Sequence, residues 1–355
     1  QDDCKQAAYS WTWAAIHGKP LSPQYYYDAA QLRKGDLPPD IFRLGKTLGC
    51  TDGCGGEVRF AFTTTLAAEN PYMNVATDVR PGFTDNYYRF YMKSGLVWDN
   101  VKEILNYGGG IAFHDVMAED VNQADSLLKH YGIAQQIIRD KLSERGCKML
   151  AEPNGNKTYV TAALSYEGIQ TMTAQAGTVV LYPFQVESDL YKVLLNRVFY
   201  NTPEQVKAAI GEQLRQEKSL RQAIHLGLHG TDESWARFLL WLNDTYGKDG
   251  DDSMWFPNPE EYYEYNYNRI HARIEKTVQE DVLKLMVTLP AAEDFYYPSL
   301  TVNVKGLKKE NIVSVVPGES VTGFSYGDYP EGVMLNVDCR KFLVSHAVHF
   351  VDRYE

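Results

Sequence analysis

Two periodicities alternate along most of the chain. Short apolar runs and alternating polar and apolar residues predict strands, whereas apolar residues three and four positions apart predict helices. The predicted strands are residues 7–13, 57–64, 111–114, 148–151, 178–182, 192–199, 222–228 and 253–256. The predicted helices are residues 98–106, 122–145, 164–176, 203–217, 233–246 and 260–284. Strands that alternate with helices indicate a mostly parallel sheet, and about seven or eight such units predict an α/β barrel.

The pattern changes at about residue 284, where strands follow one another without helices. These predicted strands are residues 283–289, 301–304, 312–316, 321–324, 333–337 and 342–350, separated by Gly and Pro turns. Such a series is typical of a small all-β domain with a sandwich-like architecture. The sequence therefore predicts two domains, an α/β barrel over residues 1–284 and a C-terminal β domain over residues 285–355.

The composition is that of a folded globular protein and excludes several classes. Of the 355 residues, 44% are hydrophobic and 23% are charged. No stretch approaches the ~20 apolar residues of a membrane span. The net charge of −11 argues against a nucleic-acid partner, because an acidic surface repels phosphates. Aromatic residues make up 13% of the chain, which suits either flat ligands such as sugar rings or a large aromatic core.

The cysteines and the first residues of the chain give information about the cellular compartment of the protein. The chain has 5 cysteines, so at least one lies outside any disulfide within the chain. Cys50 and Cys54 bracket a tight turn, and their spacing leaves open a disulfide or two ordinary thiols. The sequence opens with Gln1-Asp2-Asp3 and has no apolar leader. We expect a secreted, periplasmic or cell-surface protein from which a signal peptide has been removed.

Four predicted strand ends carry the candidate chemistry, because active sites of parallel barrels lie at the carboxyl ends of the strands. They are Trp11-Thr12-Trp13-Ala14-Ala15, Gly110-Ile111-Ala112-Phe113-His114-Asp115, Glu152-Pro153-Asn154-Gly155 and His225-Leu226-Gly227-Leu228-His229-Gly230. In this order they resemble the polysaccharide deacetylase family, of the chitooligosaccharide deacetylase type. The turn at residues 51–53 and the segment WFPNPEEYYEY at residues 255–265 are similar to a long bacterial variant of that family.

The resemblance implies both a fold and a mechanism. The fold is α/β, a distorted (β/α)7-8 barrel of about seven or eight units. In the family, one Asp and two His hold a divalent metal that polarises the acetyl carbonyl and activates water. A second Asp is the general base and a late His is the general acid. Carried onto this chain, the first metal-binding His is His114 and the late His is His229.

The chain departs from the family pattern at the other positions. Ala14 and Ala15 stand where the resemblance places the Asp pair, and Ala118 stands where it places the second His. An alanine methyl neither binds a metal nor accepts a proton. The third segment also lacks the Arg and Tyr of the family. The sequence therefore predicts an impaired site, a pseudoenzyme in which His114 and His229 are remnants of the metal site and the general acid.

A rebuilt metal site is the alternative interpretation. It would combine His114 with Asp115, Glu119 or Asp120 and would take zinc or another divalent metal. Adjacent side chains on a strand point to opposite faces, which argues against convergence of His114 and Asp115. Without such a site no cofactor is expected, and His114 would be a hydrogen-bonded or ligand-binding residue at the mouth of the barrel.

Three residues are candidates for carbohydrate binding, namely Asn154, Trp235 and Trp255. The tyrosines of residues 260–267 recur at helical spacing, which is more typical of a packing face. A glycosidase would need two carboxyl groups on opposite sides of a sugar, and Glu152 and Asp232 are the nearest choice. The sequence does not fix the separation between them.

These observations give one preferred hypothesis and two alternatives. The preferred one is a deacetylase-like protein that recognises a polysaccharide or oligosaccharide through an impaired cleft. The first alternative is an active metal-dependent carbohydrate deacetylase, hydrolysing C–N or ester bonds with relocated ligands. The second is a structural partner in a surface complex that uses the β domain. A nucleic-acid partner and a membrane span are not expected.

Overall fold

The computed structural model of the protein describes residues 1–23, 40–74 and 95–338. The helices are α1 (Ala14–Ile16), α2 (Trp98–Asn106), α3 (Ala124–Lys141), α4 (Lys157–Ser165), α5 (Pro203–Leu214), α6 (Glu233–Tyr246) and α7 (Pro259–His271). The strands are β1 (Gly49–Thr51), β2 (Glu57–Arg59), β3 (Thr63–Leu66), β4 (Gly110–Phe113), β5 (Met149–Ala151), β6 (Thr171–Ala174), β7 (Leu194–Asn196), β8 (Val198–Phe199), β9 (Leu226–Gly227), β10 (Arg273–Gln279), β11 (Val282–Thr288), β12 (Ser299–Lys305), β13 (Gly323–Tyr329) and β14 (Gly332–Asp338).

A parallel sheet forms the centre of the fold. Its five strands lie in the order β3-β4-β5-β6-β7, so each strand pairs with the next one along the chain. The strands are buried along most of their length, and helices α2, α3 and α4 connect β3 through β6. One residue after β7, strand β8 begins and pairs in parallel with β9. The predicted α/β architecture with a parallel sheet is confirmed. Within the described part of the chain, no helix is long and apolar enough to cross a membrane.

The first residues of the chain lie between β3 and the segment that follows β9. The Gln1 amino group donates to the Thr63 carbonyl over 2.6 Å, and the Thr65 N–H donates to the Gln1 carbonyl over 2.9 Å. On the other side, the Asp2 N–H donates to the Leu228 carbonyl over 2.7 Å. These bonds bring residues far apart in sequence to one edge of the central sheet.

The first predicted strand, residues 7–13, is wrong. A π-helical stretch, Ala8–Trp13, runs directly into α1. Tyr9 and Trp13 lie one turn apart, and their rings stack with centroids 4.5 Å apart. All residues of this segment are buried, so the apolar pattern does not distinguish a strand from a buried helix. Ala14 and Ala15 consequently lie inside a helix in the core and not at a strand end.

Two predicted helices are also wrong in part. Residues 164–176 contain the end of α4 and the strand β6, which follows Gly168 and begins with the β-branched Thr171. The predicted helix 260–284 ends at His271, and the next residues form the hairpin β10–β11. The hairpin contains several β-branched residues, which favour strands over helices.

The C-terminal region contains β structure, as predicted. Strands β12, β13 and β14 form an antiparallel sheet in the order β12-β14-β13. The predicted strand 312–316 is not formed, and the predicted strand 342–350 lies outside the described residues. The predicted domain boundary between residues 284 and 285 falls inside β11 and stays a prediction.

The turn between β1 and β2 contacts this C-terminal sheet. The Asn336 side chain donates to the Asp52 carbonyl over 2.7 Å, and the Ser325 hydroxyl donates to the Asp52 carboxylate over 2.5 Å. Cys50 and Cys54, which flank the turn, are free thiols. The turn therefore serves as a docking point and is not closed by a disulfide.

A buried ionic cluster attaches α7 beneath the amino ends of the strands. Lys148, directly before β5, lies 3.1 Å from the Glu260 carboxylate and 2.6 Å from that of Glu264. Arg145 contacts the other oxygen of Glu260 over 2.8 Å. Glu264 also accepts the backbone N–H of Tyr297, which leads into β12. The cluster thus joins the central sheet, α7 and the C-terminal sheet.

Candidate active site

Two consecutive aspartates begin the site at the edge of the central sheet. Asp2 is 3% exposed, whereas Asp3 is exposed. Asp3 and Cys4 have φ angles of 63° and 48°, in the left-handed region that few residues other than glycine adopt. This turn directs the chain away from the sheet immediately after Asp2, so the two carboxylates face different surroundings.

His114 follows the last residue of β4 and is 5% exposed. Its Nδ1 lies 2.7 Å from the Ala151 carbonyl, which can only accept a hydrogen bond. The ring therefore donates through Nδ1 and points Nε2 toward the aspartates. Nε2 lies 3.6 Å from Asp3 Oδ1 and 3.9 Å from Asp2 Oδ2.

Asp3 and His114 shift each other's pKa. The contact with the His114 ring lowers the pKa of Asp3 to about 2, although partial burial of the carboxyl group opposes the shift. Burial favours the neutral form of His114, but the Asp3 contact and the Asp2 charge outweigh it, so the pKa of His114 is raised. The site is strongly anionic around a single imidazole.

Asp115 completes a donor set that fits a divalent cation. The ligand atoms of Asp3, His114 and Asp115 all lie within 4.8 Å of one another. Adjacent residues on a strand would not converge, but β4 ends at Phe113, so the strand argument does not apply to these two residues. Carboxylates with an imidazole whose other nitrogen is held by a carbonyl suit zinc and similar cations.

Arg197, between β7 and β8, fixes Asp2. Its Nη1 lies 2.7 Å from Asp2 Oδ1, and its Nη2 donates to the Glu152 carbonyl over 3.0 Å. The guanidinium and the Asp2 carboxylate are each 4% exposed. The pair fixes the orientation of the Asp2 side chain, with Oδ2 on the side of His114.

A pocket of about 280 Å³ opens over the site at the carboxyl ends of β3 and β4. The three donor residues line it together with residues from the two loops that follow these strands. Its lining residues are Asp3, Cys4, Thr65, Leu66, Ala67, Glu69, Asn70, Tyr72, His114, Asp115, Val116 and Met117.

The whole chain, residues 1–355, matches the family model described as "Putative polysaccharide deacetylase". The chain belongs to this family. The resemblance predicted from the sequence is thereby confirmed, and the family implies a carbohydrate substrate. A search of the curated proteins found no match to the chain.

His229, the predicted general-acid residue, lies near the donor set. It follows β9, is exposed, and stacks on Phe199 with ring centroids 4.6 Å apart. Its charge contributes to the lowered pKa of Asp3. The structure thus places His229 within electrostatic reach of the site.

The other predicted metal ligands lie outside the donor set. Glu119 is exposed, and Asp120 accepts the Asn122 N–H over 2.9 Å. Ala118 is half-buried against the core. Of the acidic residues on this loop, the structure brings Asp115 alone into the group with His114.

The three predicted carbohydrate-binding residues occupy different surroundings. Asn154 is exposed in a turn, with a φ of 52°. Trp235 is 7% exposed and belongs to the hydrophobic core. Trp255 is 42% exposed and packs on Tyr262. The residue next to Trp255 bonds to the backbone ahead of β3, at the amino end of the sheet and opposite the pocket.

Sequence reasoning missed Asp2, Asp3 and Arg197. The adjacent aspartates are themselves a usable signal, because the family motif contains an Asp pair. Residues 7–13 resemble a first strand, and this resemblance places the motif at Ala14 and Ala15 instead. That placement is wrong, because the two alanines lie in the buried helix α1.

Proposed function

We propose that this chain is an active metal-dependent deacetylase of acetylated carbohydrate, with Asp2, Asp3, His114 and Asp115 at its centre. One observation carries the proposal: a buried Asp2–Arg197 pair lies beside His114, which lines one pocket together with Asp3 and Asp115. The family gives the substrate class. The impaired-site hypothesis depends on Ala14, Ala15 and Ala118, and the donor set of Asp3, His114 and Asp115 uses none of these three positions.

The proposal includes a closed barrel. Residues 1–2 bond to β3 on one side and to the backbone after β9 on the other. Strands β3 to β7 form one parallel sheet, and β8, which begins one residue after β7, pairs in parallel with β9. A ring of this kind brings the carboxyl ends of all strands to one mouth. The donor set lies at that mouth.

Each residue has a role in the proposed reaction. Asp3, His114 and Asp115 would hold the cation, which polarises an acetyl carbonyl and acidifies water. Asp2 Oδ2 accepts the proton of the attacking water, because Arg197 contacts Oδ1 and leaves Oδ2 on the side of His114. His229 donates a proton to the departing sugar nitrogen or oxygen. The Ala151 carbonyl fixes the ring of His114 in one tautomer.

The test measures bound metal and released acetate together. Chelator-treated protein is dialysed against Co²⁺ or Zn²⁺, and metal per chain is determined for the wild type and His114→Ala. Acetate release is then measured on acetylated chitooligosaccharides and acetylated xylan. We expect stoichiometric metal that His114→Ala loses, while His271→Ala at an exposed histidine keeps it.

A second variant separates the base from the metal ligands. Asp2→Asn should bind metal as the wild type does but release acetate about 10²–10⁴ times more slowly. Metal absent from the wild type and no acetate from either substrate would overturn the proposal in favour of an impaired carbohydrate-binding protein.

A further inference from the structure

The loop after β4 carries two of the three cation donors. It contains His114 and Asp115 and runs to the start of α3. His114 is buried, but Asp115 is exposed and Met117 is 59% exposed. An exposed carboxylate holds a fixed position only where its backbone is held, because side-chain and backbone ordering cost conformational entropy.

Glu69, from the loop after β3, holds this backbone on one side. Its Oε1 accepts the Met117 N–H over 3.0 Å. Its Oε2 lies 2.6 Å from Nδ1 of His130 on α3. The Glu69 and His130 side chains are only 10% and 15% exposed. Both carboxylate oxygens of Glu69 therefore have partners although the residue lines the pocket.

The opposite side of the loop is held by helix α4 and its cap. The Asn156 side chain donates to the Val121 carbonyl over 3.1 Å. Glu69 thus holds the loop two residues after Asp115, next to the donor set. Asn156 holds the loop at Val121, farther from the donor set in sequence.

We propose that Glu69, with His130, is a positioning residue that fixes Asp115 in the cation site. The inference rests on the proposed function, since it concerns the same donor set. Glu69 does not bind the cation: it holds the Met117 N–H, and His130 holds Glu69. Partners of this kind around a metal site affect affinity by about 10–100-fold.

The test compares Co²⁺ affinity and the visible spectrum of bound Co²⁺, which reports the number and arrangement of ligands. Glu69→Ala removes both contacts and should weaken Co²⁺ binding about 10–100-fold with a changed spectrum. Glu69→Gln keeps an oxygen for the Met117 N–H and should restore most of the affinity. Glu119→Ala, at an exposed acid on the same loop, should bind as the wild type does.

The outcomes separate this inference from the proposed function. Co²⁺ bound by the wild type and by Glu69→Ala with equal affinity and spectrum overturns the role of Glu69 and leaves the metal site standing. A wild type that binds no Co²⁺ overturns both. Should Glu69→Ala fail to fold, His130→Ala decides: weakened binding supports the inference, and unchanged binding overturns it.

Discussion

Asp2 and Asp3 are neighbours in sequence, yet the fold gives them opposite surroundings. Asp2 is buried against Arg197, and Asp3 is exposed beside the buried ring of His114. The left-handed backbone at Asp3 separates the two carboxylates. Two titratable groups in contrasting environments are a recurrent basis for dividing the roles of base and ligand.

His17 provides a prediction about pH at the residue scale. It is 5% exposed, and its Nδ1 accepts from Arg59 over 2.8 Å. Burial, Arg59 and Lys19 all lower the pKa of His17 well below its usual 6.5. The unfolded chain therefore binds a proton near this pH that the folded protein does not bind, and stability falls as the pH falls.

His17→Gln should remove this part of the pH dependence. Between roughly pH 7.5 and 5.5, wild-type unfolding free energy should drop by about 1 kcal/mol more than that of the variant. Glutamine keeps an acceptor for Arg59. Urea unfolding at both pH values gives the comparison, and parallel losses in the two proteins would contradict the argument.

At the scale of elements, the sequence predicts best where one face is apolar and the ends carry clear signals. The bounds of α2 and α6 agree with the predicted ones. Helix α5 begins as predicted at Pro203, behind a capping box formed by Thr202 and Gln205. Strands β4 and β5 lie within one residue of their predictions, because short buried apolar runs end at polar residues.

Prediction fails where burial on all sides removes the pattern. The aromatic segment of residues 8–13 is buried on all sides, so its sequence shows neither the helical nor the strand periodicity of apolar residues and no single apolar face. The strand predicted for residues 7–13 also places the expected Asp pair after residue 13, and therefore away from Asp2 and Asp3. His114 was found because it directly follows a well-predicted strand. Arg197 could not be found, because its contact with Asp2 joins residues 195 positions apart.

At the scale of elements, the position of Asp232 also allows a test of the glycosidase alternative, in which Asp232 would be one of the two catalytic carboxyl groups. The structure places it at the N-cap of α6, where it accepts the Ser234 N–H over 2.9 Å and that of Trp235 over 3.3 Å. Asp232→Ala should lower the unfolding free energy by about 1 kcal/mol. Asp232→Asn should leave the unfolding free energy unchanged, because an asparagine side chain can still cap the helix.

Acetate release should be the same in both Asp232 variants at a temperature where both are folded. The two measurements are urea unfolding and the acetate assay. Loss of activity in Asp232→Asn with unchanged stability would assign this carboxylate to chemistry instead of capping.

For the whole molecule, the buried ionic cluster joins the central sheet to the C-terminal sheet. Glu264 contacts Lys148, and both side chains are fully buried. Glu264→Ala leaves the Lys148 charge without one of its partners and removes the acceptor of the Tyr297 N–H. We expect a loss of about 3–5 kcal/mol in unfolding free energy.

The same variant should expose the connection to the C-terminal sheet. Limited proteolysis should cut Glu264→Ala first between β11 and β12, at protease concentrations that leave the wild type intact. Glu293→Ala, whose side chain is 82% exposed, is the matched control. Equal cleavage rates in Glu264→Ala and the control would show that the cluster does not attach this sheet.

The bond from Asp2 to Leu228 also has a consequence during synthesis. The ribosome delivers Asp2 more than two hundred residues before Leu228, the acceptor of its N–H. At ordinary elongation rates the delay is about 10–50 s. Until Leu228 has emerged, the nascent chain lacks the backbone acceptor of the Asp2 N–H, so this edge of the central sheet is completed only late in synthesis.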